Sequence, residues 1–252
     1  MTASIRPLIA GNWKMNGVSA GLTEAVAVSD ALASEAAPAR VALCPPATLI
    51  YRMAEQLSGT AVEVGAQDLH AEASGAFTGD ISGAMLHDAG ARLVIVGHSE
   101  RRTLHGEDDA LVARKVEAAL VSALEPIVCV GEAIEQRKSG EAEAVVRRQL
   151  EGSLPAALAA NLFSVAYEPV WAIGTGLTPT SDEIAAMHAS IRGVLMERFG
   201  DHGAGVAILY GGSVKPSNAA EILALPDVGG ALVGGASLKA ADFLPIIRAV
   251  RR

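Results

Sequence analysis

The residue of this sequence best suited to acid–base chemistry is Glu168, which ends a run of apolar residues and is followed at once by Pro169. A proline cannot donate a main-chain hydrogen bond, so the run cannot continue as an inner strand. The next segment, residues 170–176, is apolar and contains glycines that can act as hinges. Such a segment can fold over a ligand and exclude water, which raises the pKa of a carboxylate toward that of a useful base. A lone glutamate is more often a solvated surface residue, so it is the apolar segment that favours a catalytic interpretation.

His98 is the second candidate, because it follows the apolar run 93–97 and precedes Ser99, where the pattern predicts a short helix. The positive end of a helix disfavours a charged imidazolium, so a neutral ring at this place can donate a hydrogen bond to a substrate carbonyl. A buried structural histidine or a helix cap fits the sequence equally well. The histidines of the chain show no pair at helical metal-ligand spacing, so no metal site is predicted.

Small residues after the last two apolar runs suggest a phosphate site. Gly211-Gly212-Ser213 and Gly234-Gly235 each come just before a predicted helix. Main-chain N–H groups that are not shielded by side chains can approach phosphate oxygens closely. A single Gly-Gly pair is only a turn signal, but two pairs at these places favour phosphate. Neither GxxxxGK[ST] nor GxGxxG occurs, so nucleotide binding is not predicted.

Short β-branched runs alternate with Ala-rich stretches of helical period along the whole chain, which is the pattern of repeated βα units. The runs are mostly apolar, as expected of parallel strands that are buried on both faces. Eight strands are predicted, at residues 8–12, 41–44, 62–67, 93–97, 127–131, 164–168, 206–210 and 232–234.

The helical stretches are apolar on one side, and several begin with recognisable signals. Thr180 with Glu183 three residues later forms a capping box, and Pro216 and Ser217 open the helix after the seventh strand. No linker divides the chain, so the predicted fold is α/β, a single (β/α)8 barrel domain over residues 1–252, with an open doubly wound sheet as the less favoured alternative. The predicted helices include residues 23–36, 109–124, 142–160, 181–199, 219–223 and 241–251.

In such a barrel the carboxyl ends of all strands face one shared mouth, where functional residues collect. Polar residues interrupt the apolar runs at these ends, and we expect them to form one site. They are Asn12 and Lys14 after the first strand, His98 and Glu100 after the fourth, Glu168 after the sixth, and the small-residue segments after the seventh and eighth.

Composition argues against several classes of function. The chain has 252 residues, a net charge of −8 and no basic stripe, so nucleic acid is not an expected partner. No uncharged apolar run approaches ~18 residues, so we expect a soluble, cytoplasmic protein without a membrane partner. Cys44 and Cys129 lie far apart in apolar runs, and we expect both to be reduced.

Five segments spread over the chain are similar to those of the triosephosphate isomerases. They are Gly11-Asn12-Trp13-Lys14-Met15-Asn16, Gly97-His98-Ser99-Glu100-Arg101-Arg102, Ala166-Tyr167-Glu168-Pro169-Val170-Trp171-Ala172-Ile173-Gly174-Thr175-Gly176, Tyr210-Gly211-Gly212-Ser213-Val214 and Val233-Gly234-Gly235-Ala236-Ser237. The resemblance implies a (β/α)8 TIM barrel that interconverts dihydroxyacetone phosphate and D-glyceraldehyde 3-phosphate through an enediolate, without cofactor or metal. It also implies a place in glycolysis and gluconeogenesis.

The resemblance further implies roles for individual residues. Glu168 would move the carbon-bound proton and His98 would polarise and protonate the oxygens, the pairing for which this family is the standard example. Lys14 and Asn12 would supply electrostatic stabilisation, and Glu100 would orient Lys14. Substrate and phosphate binding would involve Asn12, Lys14, Gly174, Ser213, Gly234 and Gly235, and the lid and the cover of the base would comprise Pro169, Val170, Trp171, Ala172, Ile173, Thr175, Gly176 and Leu232.

The long segment of residues 67–80 resembles the loop through which this family dimerises, by insertion beside the catalytic pocket of the neighbouring subunit. Long loops in compact domains are usually functional. We therefore expect a homodimer in which Phe77 and Thr78 belong to this loop. Asp68 occupies a place where many members have asparagine, which adds a possible charge near the interface.

Two other interpretations remain open. Another phosphate-binding barrel, such as a sugar-phosphate epimerase or an aldolase, would usually need metal ligands or a Schiff-base lysine within a later strand, and neither is evident. A catalytically inactive barrel used as a binding protein would tolerate the loss of the base, the imidazole or the lid, and all three are present in the sequence.

Overall fold

The computed structural model describes residues 7–35, 37–173 and 177–250, and in them eight parallel strands close into one barrel. Each strand pairs with the next along the chain, and the first also pairs with the last. This confirms the predicted (β/α)8 TIM barrel. The strands are β1 (Leu8–Asn12), β2 (Arg40–Cys44), β3 (Val62–Ala66), β4 (Leu93–Val96), β5 (Glu125–Val130), β6 (Ser164–Tyr167), β7 (Ala207–Tyr210) and β8 (Gly230–Val233).

Helices follow the strands and cover the outside of the barrel. Several are shorter than two turns, and these lie close to the ends of strands. The helices are α1 (Leu22–Ser34), α2 (Ile50–Gln56), α3 (Gly83–Asp88), α4 (Ser99–Leu104), α5 (Asp109–Val121), α6 (Ile134–Lys138), α7 (Ala142–Ser153), α8 (Ser181–Ala204), α9 (Ala219–Ile222) and α10 (Ala240–Arg248).

The strands are almost entirely buried, because the barrel interior covers one face and the helices cover the other. Along β4, Leu93 and Ile95 belong to the cluster that fills the interior, whereas Val94 and Val96 belong to the layer between strands and helices. Cys44 and Cys129 are also part of the interior cluster and are free. Burial raises the pKa of the Cys44 thiol to about 12, which agrees with the expectation of a reduced, inert cysteine.

A cluster of three charged residues lies at the amino-terminal ends of the strands. Arg40 starts β2, and its guanidinium contacts the carboxylates of both Glu63 on β3 and Glu125 on β5, at 3.0 Å and 2.7 Å. Each of these strand residues is only partly buried, whereas the other strand residues are buried. The cluster therefore covers the end of the barrel opposite the predicted site, and the Arg40 charge offsets part of the charge of the two carboxylates.

The start of α8 confirms the predicted capping box, because Thr180 Oγ1 accepts the Glu183 N–H and Glu183 Oε2 accepts the Thr180 N–H. This helix continues beyond the predicted end at residue 199 and reaches Ala204. The continuation is not a regular helix, since Gly200 has a φ of 55°, a conformation that is strained for other residues. The sequence pattern therefore located the first part of α8 and missed the turn that extends it.

The helix predicted at residues 142–160 is shorter than expected. It ends at Ser153, because Pro155 lacks the N–H that a continuing helix needs, and residues 156–160 form a separate 3-10 turn. The helices α2, α3 and α6 were not among those predicted. Each is too short for an apolar helical period to be recognised in the sequence.

A fully buried histidine on α8 has no role in the predicted chemistry. The ring of His188 packs against those of Tyr167 and Tyr210, with centroid distances of 5.9 and 6.4 Å. Its Nδ1 lies 3.3 Å from the main-chain oxygen of Asp227, and its Nε2 is buried with no hydrogen-bond partner within the described residues. Burial lowers the pKa of His188 from 6.5 to about 4, because a charged ring would lose its hydration.

We predict that His188 makes the fold less stable in acid. In the unfolded chain the ring takes up a proton near pH 6.5, whereas the folded ring stays neutral down to about pH 4, so acid favours the unfolded chain. The free energy of unfolding should fall by up to about 3 kcal/mol between these two pH values. Urea titrations should show a flatter pH dependence for His188→Gln and an unchanged one for the exposed control His87→Gln. Equal slopes for the parent and His188→Gln would contradict the prediction.

Candidate active site

The polar residues predicted at the strand ends lie around one cleft of about 410 Å³ at the carboxyl end of the barrel. Closure of the sheet brings them together from distant parts of the chain. The cleft is lined by Asn12, Lys14, His98, Glu168, Ser213, Gly234 and Gly235, together with Ile173 and Leu232, all of which were predicted site residues.

Glu168 follows the last residue of β6, and Pro169 prevents the strand from continuing. Its main-chain N–H donates to the Val130 carbonyl at 2.8 Å, which fixes the backbone against β5. The side chain is 2% exposed, with Oε1 lying 2.9 Å from His98 Nε2 and Oε2 accepting the Ser99 N–H at 2.9 Å. The carboxylate is thus buried and held from two sides.

His98 lies at the amino terminus of α4 and is 5% exposed. Its Nδ1 accepts the Glu100 N–H at 3.2 Å, so this nitrogen has no proton of its own. Its Nε2 is then free to donate to the carboxylate of Glu168. In the neutral ring this arrangement allows only one tautomer, with the proton on Nε2.

The two side chains change each other's pKa. Burial raises the pKa of Glu168, but the contact with His98 and the N–H of Ser99 together lower it below its ordinary value. Burial lowers the pKa of His98, and the Glu168 carboxylate more than offsets this. Protonation of the ring at Nδ1 would break the contact with the Glu100 N–H, whereas the Glu100 carboxylate, with Oε2 3.6 Å from Nδ1, favours protonation. The sequence-based expectation of a raised carboxylate pKa does not hold for this arrangement.

Lys14 has an unusual backbone conformation, with a φ of 53°. Left-handed backbone is strained for a residue with a side chain, and here hydrogen bonds maintain it. The Lys14 N–H donates to Asn12 Oδ1 at 3.0 Å, and the Lys14 carbonyl accepts from Gln67 Nε2 at 2.9 Å. Lys14 Nζ is paired with the Glu100 carboxylate, the contact expected of a residue that orients this lysine.

Gln67 is a site residue that the sequence reasoning missed. It follows β3 directly, and its Nε2 donates to the carbonyls of both Lys14 and Cys44. It therefore connects the ends of β1, β2 and β3 beneath the cleft. The sequence does indicate it, because Gln67 is a polar residue at the end of an apolar run, like Asn12, His98 and Glu168.

The glycines after β7 and β8 lie where side chains would not fit or would obstruct the cleft. A Cβ on Gly212 would lie 2.2 Å from the hydroxyl of Tyr210, and one on Gly211 would lie 2.9 Å from Cγ of Glu168. Gly235 begins a 3-10 turn that ends at Ser237, whose Oγ donates to the Gly234 carbonyl at 2.7 Å. These segments thus bring bare backbone to the edge of the cleft.

The first half of the predicted lid is attached to a buried glutamate. Pro169 precedes a 3-10 turn, Val170–Ala172, and Ile173 reaches the cleft. Trp171 Nε1 and Tyr167 OH donate to Glu132 Oε1 at 2.8 and 3.1 Å. The predicted lid and phosphate residues Gly174, Thr175 and Gly176 lie outside the described residues.

Glu132 is a second residue that the sequence reasoning missed. It is fully buried, and Arg137 Nη1 lies 3.3 Å from Glu132 Oε1, the oxygen that also accepts from Trp171. The Arg137 guanidinium also lies 5.1 Å from the centre of the Trp171 ring. Glu132 comes two residues after the end of β5, so the rule that selected the other strand-end residues applies to it as well.

The loop residues predicted for dimerisation lie apart from the cleft of their own subunit. Phe77 is 41% exposed and packs on His70 with a centroid distance of 4.0 Å, and Thr78 beside it is exposed. Asp68 at the start of this loop is paired with Lys115 at 2.6 Å and with Arg101 at 2.9 Å. The additional charge is therefore neutralised within the subunit.

The closed barrel, with a buried carboxylate 2.9 Å from a histidine at the carboxyl ends of its strands, defines a barrel enzyme equipped for proton transfer. The family model described as triosephosphate isomerase matches residues 7–250. The chain belongs to this family.

Relatives match over nearly the whole chain. It is 60% identical to a triosephosphate isomerase of Caulobacter vibrioides over 245 residues, which are 97% of each protein. It is 60% identical to that of Afipia carboxidovorans over 250 residues, or 99% of each. The crystal structure of triosephosphate isomerase from Bartonella henselae is similar with a TM-score of 0.91 and 49% identity, covering 97% of this chain and 99% of that one. The resemblance seen in the sequence is confirmed, and the protein is an isomerase.

We predict that Glu132 anchors the first half of the lid. Glu132→Leu removes the buried acceptor that Tyr167 OH and Trp171 Nε1 share, so the free energy of unfolding should fall by roughly 2–5 kcal/mol. In a Trp13→Phe background, acrylamide should quench the fluorescence of Trp171 more strongly, because the indole is no longer held. Glu132→Gln keeps an acceptor oxygen and is the matched control. Equal quenching in both variants would show that the carboxylate does not hold the indole.

Proposed function

We propose that this protein interconverts dihydroxyacetone phosphate and D-glyceraldehyde 3-phosphate by proton transfer through an enediolate. The observation that supports this most directly is the contact between Glu168 and His98 at the mouth of a barrel of the triosephosphate isomerase family. A base and a proton donor at hydrogen-bond distance can act on the carbon and the oxygen atoms of one small substrate. The reaction moves hydrogen within one molecule, so it requires neither a redox cofactor nor a metal ion.

In this proposal Glu168 removes the proton from the carbon next to the carbonyl group and returns it to the neighbouring carbon. The carboxylate is in the required anionic form, because its neighbours lower its pKa. When a substrate oxygen takes over the hydrogen bond from His98 Nε2, the carboxylate loses one of the contacts that lower its pKa. Burial, which raises the pKa, remains. The arrival of the substrate thus strengthens the base.

His98 would donate its Nε2 proton to the oxygen that becomes negative as the enediolate forms. The Glu100 N–H fixes Nδ1 as an acceptor, so the ring presents Nε2–H to the cleft in one orientation. A neutral donor is suited to moving protons between two oxygens, because it takes one proton back for each that it gives. After giving its proton to the first oxygen, the ring would take a proton from the hydroxyl group on the neighbouring carbon, which restores the neutral ring.

Lys14 and Asn12 would stabilise the negative charge of the intermediate. Asn12 is 5% exposed at the end of β1, and its side-chain oxygen holds the Lys14 N–H. Lys14 lies in the same cleft, and its Cε is 3.7 Å from where a Cβ on Gly234 would be. The Lys14 side chain would therefore lie close to the phosphate in the proposed complex. Glu100 would keep it in this position.

The main-chain groups of Ser213, Gly234 and Gly235 would hold the phosphate, with Gly174 joining them from the lid. Backbone N–H groups suit a phosphate dianion, and the glycines leave room for its oxygens. The lid, Pro169 to Gly176, would close over the bound substrate with Ile173 and Leu232 covering the base. Water would then be excluded from the enediolate, which otherwise loses phosphate by elimination.

A homodimer in the cytoplasm is the proposed state of the protein. Met15, beside the catalytic lysine, is 96% exposed, and Phe77 and Met85 also expose apolar surface. Met15 follows Lys14, whose carbonyl is held by Gln67 at the start of the predicted dimer loop that contains Phe77, and exposed apolar side chains in this region suit a protein–protein contact. No helix within residues 7–35, 37–173 and 177–250 is long and apolar enough to cross a membrane.

A coupled assay with D-glyceraldehyde 3-phosphate, in the presence of a metal chelator and without nucleotide at the isomerase step, tests the reaction. Glu168→Asp withdraws the carboxylate by ~1 Å, so kcat should fall about a hundredfold while inhibition by glycerol 3-phosphate stays the same. Glu135→Asp, an exposed glutamate of α6, is the matched control. An inactive parent would reject the proposed reaction, and an unchanged kcat in Glu168→Asp would remove this residue from the role of base.

The dimer can be tested by shortening the loop around Phe77. Deletion of residues 75–78 should give monomers of low activity in sedimentation at micromolar concentration, because the loop would no longer reach the neighbouring subunit. Circular dichroism during thermal unfolding checks that the variant remains folded. If the unmodified protein sediments as a fully active monomer, the proposed dimer is wrong.

A further inference from the structure

Gly131 directly follows β5, and both of its main-chain groups are bound by one side chain. Its N–H donates to Gln149 Oε1 at 2.7 Å, and its carbonyl accepts from Gln149 Nε2 at 3.0 Å. Gln149 belongs to the outer helix α7, 18 residues further along the chain. A side-chain amide that binds the N–H and C=O of one residue reproduces the pairing that an adjacent strand would give.

The Gln149 amide lies where a neighbouring strand would pair with the end of β5. β4 pairs with β5 only as far as Val96 and Val128, and beyond that point Gly97, with a φ of 65°, turns the chain into α4. On its other side the extension of β5 remains paired, because Val130 and Glu132 accept N–H groups from the segment after β6. Alternate residues of a strand direct their main-chain groups to opposite sides. Those of Gly131 therefore face the side that β4 has left.

Gly131 also lies directly against the backbone of Glu168. A Cβ on Gly131 would be 1.8 Å from the Glu168 carbonyl oxygen and 2.7 Å from its carbonyl carbon. No residue with a side chain fits there without a shift of the main chain. Since the two backbones are in contact, a displacement of Gly131 displaces Glu168.

The surroundings give Gly131 room to move if it is not held. A cavity of about 170 Å³ lies behind Glu168, and its lining includes Gly131, Gln149, Ser99 and Arg102. Close packing therefore does not by itself fix this part of the chain. Within the described residues, the two hydrogen bonds from Gln149 are the ones that hold the main chain of Gly131 on this side.

We propose that Gln149 is a positioning residue for Glu168, acting through the backbone of Gly131. This rests on the proposed function, in which Glu168 is the base. Gln149 touches no reacting atom, and it fixes the segment against which Glu168 packs. Its effect should therefore fall on proton transfer and not on phosphate binding, since the phosphate residues follow β7 and β8 on a different part of the barrel.

The first test replaces the amide with an apolar side chain of similar length. Gln149→Met removes both hydrogen bonds and retains the packing of α7. We expect kcat to fall roughly tenfold, because small misplacements of a catalytic group are costly. KM and inhibition by inorganic phosphate should remain unchanged. Arg198→Ala is the matched control. Arg198 donates to the carbonyls of Glu151 and Leu154, so its replacement loosens the end of the same helix and leaves the contacts of Gly131 in place.

The second test makes the contact between residue 149 and the Gly131 main chain depend on pH. In Gln149→Glu an ionised carboxylate can accept the Gly131 N–H but repels the Gly131 carbonyl, whereas a protonated carboxyl group can serve both. The kcat of this variant, divided by that of the parent, should therefore rise toward one as the pH falls through the pKa of the new carboxyl group. The same ratio for Gln149→Met should not depend on pH.

Two outcomes would overturn the inference. One is a kcat within about twofold of the parent for both Gln149 variants at neutral pH. The other is an equal fall in kcat for Arg198→Ala and Gln149→Met when the two variants lose the same thermal stability. The lower kcat of Gln149→Met would then be explained by a loosened helix α7. An inactive parent would instead reject the proposed function, so the two failures are distinguishable.

Discussion

Closure of eight parallel strands into a ring places all of their carboxyl ends on one side, and the site depends on this constraint. Asn12, His98 and Glu168 belong to three different βα units, yet they line one cleft. At the opposite end the same closure brings Arg40, Glu63 and Glu125 into contact. Each end of the barrel is thus built from residues that are distant in sequence.

Placing polar side chains in a buried cleft is costly unless each has partners. Glu168 is stabilised by His98 and by the N–H of Ser99, and Lys14 by Glu100 and Gln67. These partners follow β3 or β4, which are not adjacent to β1 or β6, so only the closed barrel brings them into contact, and the fold and the site stabilise each other. A substrate that takes the place of one such contact changes the pKa of what remains, which links binding to chemistry.

Much of this arrangement was predictable from local patterns. The strands were recognised because they are apolar runs, and Glu168 and His98 because each follows such a run. Gln67 and Glu132 satisfy the same rule but were not predicted, and Gln67 was assigned only to the third strand and to the dimer loop. The lowered pKa of Glu168 was not predictable, because its donors come from residues 69 or more positions earlier in the chain. Gln149 gave no signal at all, since a glutamine on an amphipathic helix is ordinarily a surface residue.

The left-handed backbone of Lys14 has a consequence for engineering. A side chain in this conformation costs about 1–3 kcal/mol, which glycine avoids. The contacts made by the Lys14 N–H and carbonyl involve only the backbone, so Lys14→Gly would keep them. Directed evolution for heat resistance alone would therefore tend to select this replacement, and with it the loss of the charged group from the cleft. At this position thermal stability and the proposed role of Lys14 make opposite demands on one residue, so a library should be screened for stability and activity together.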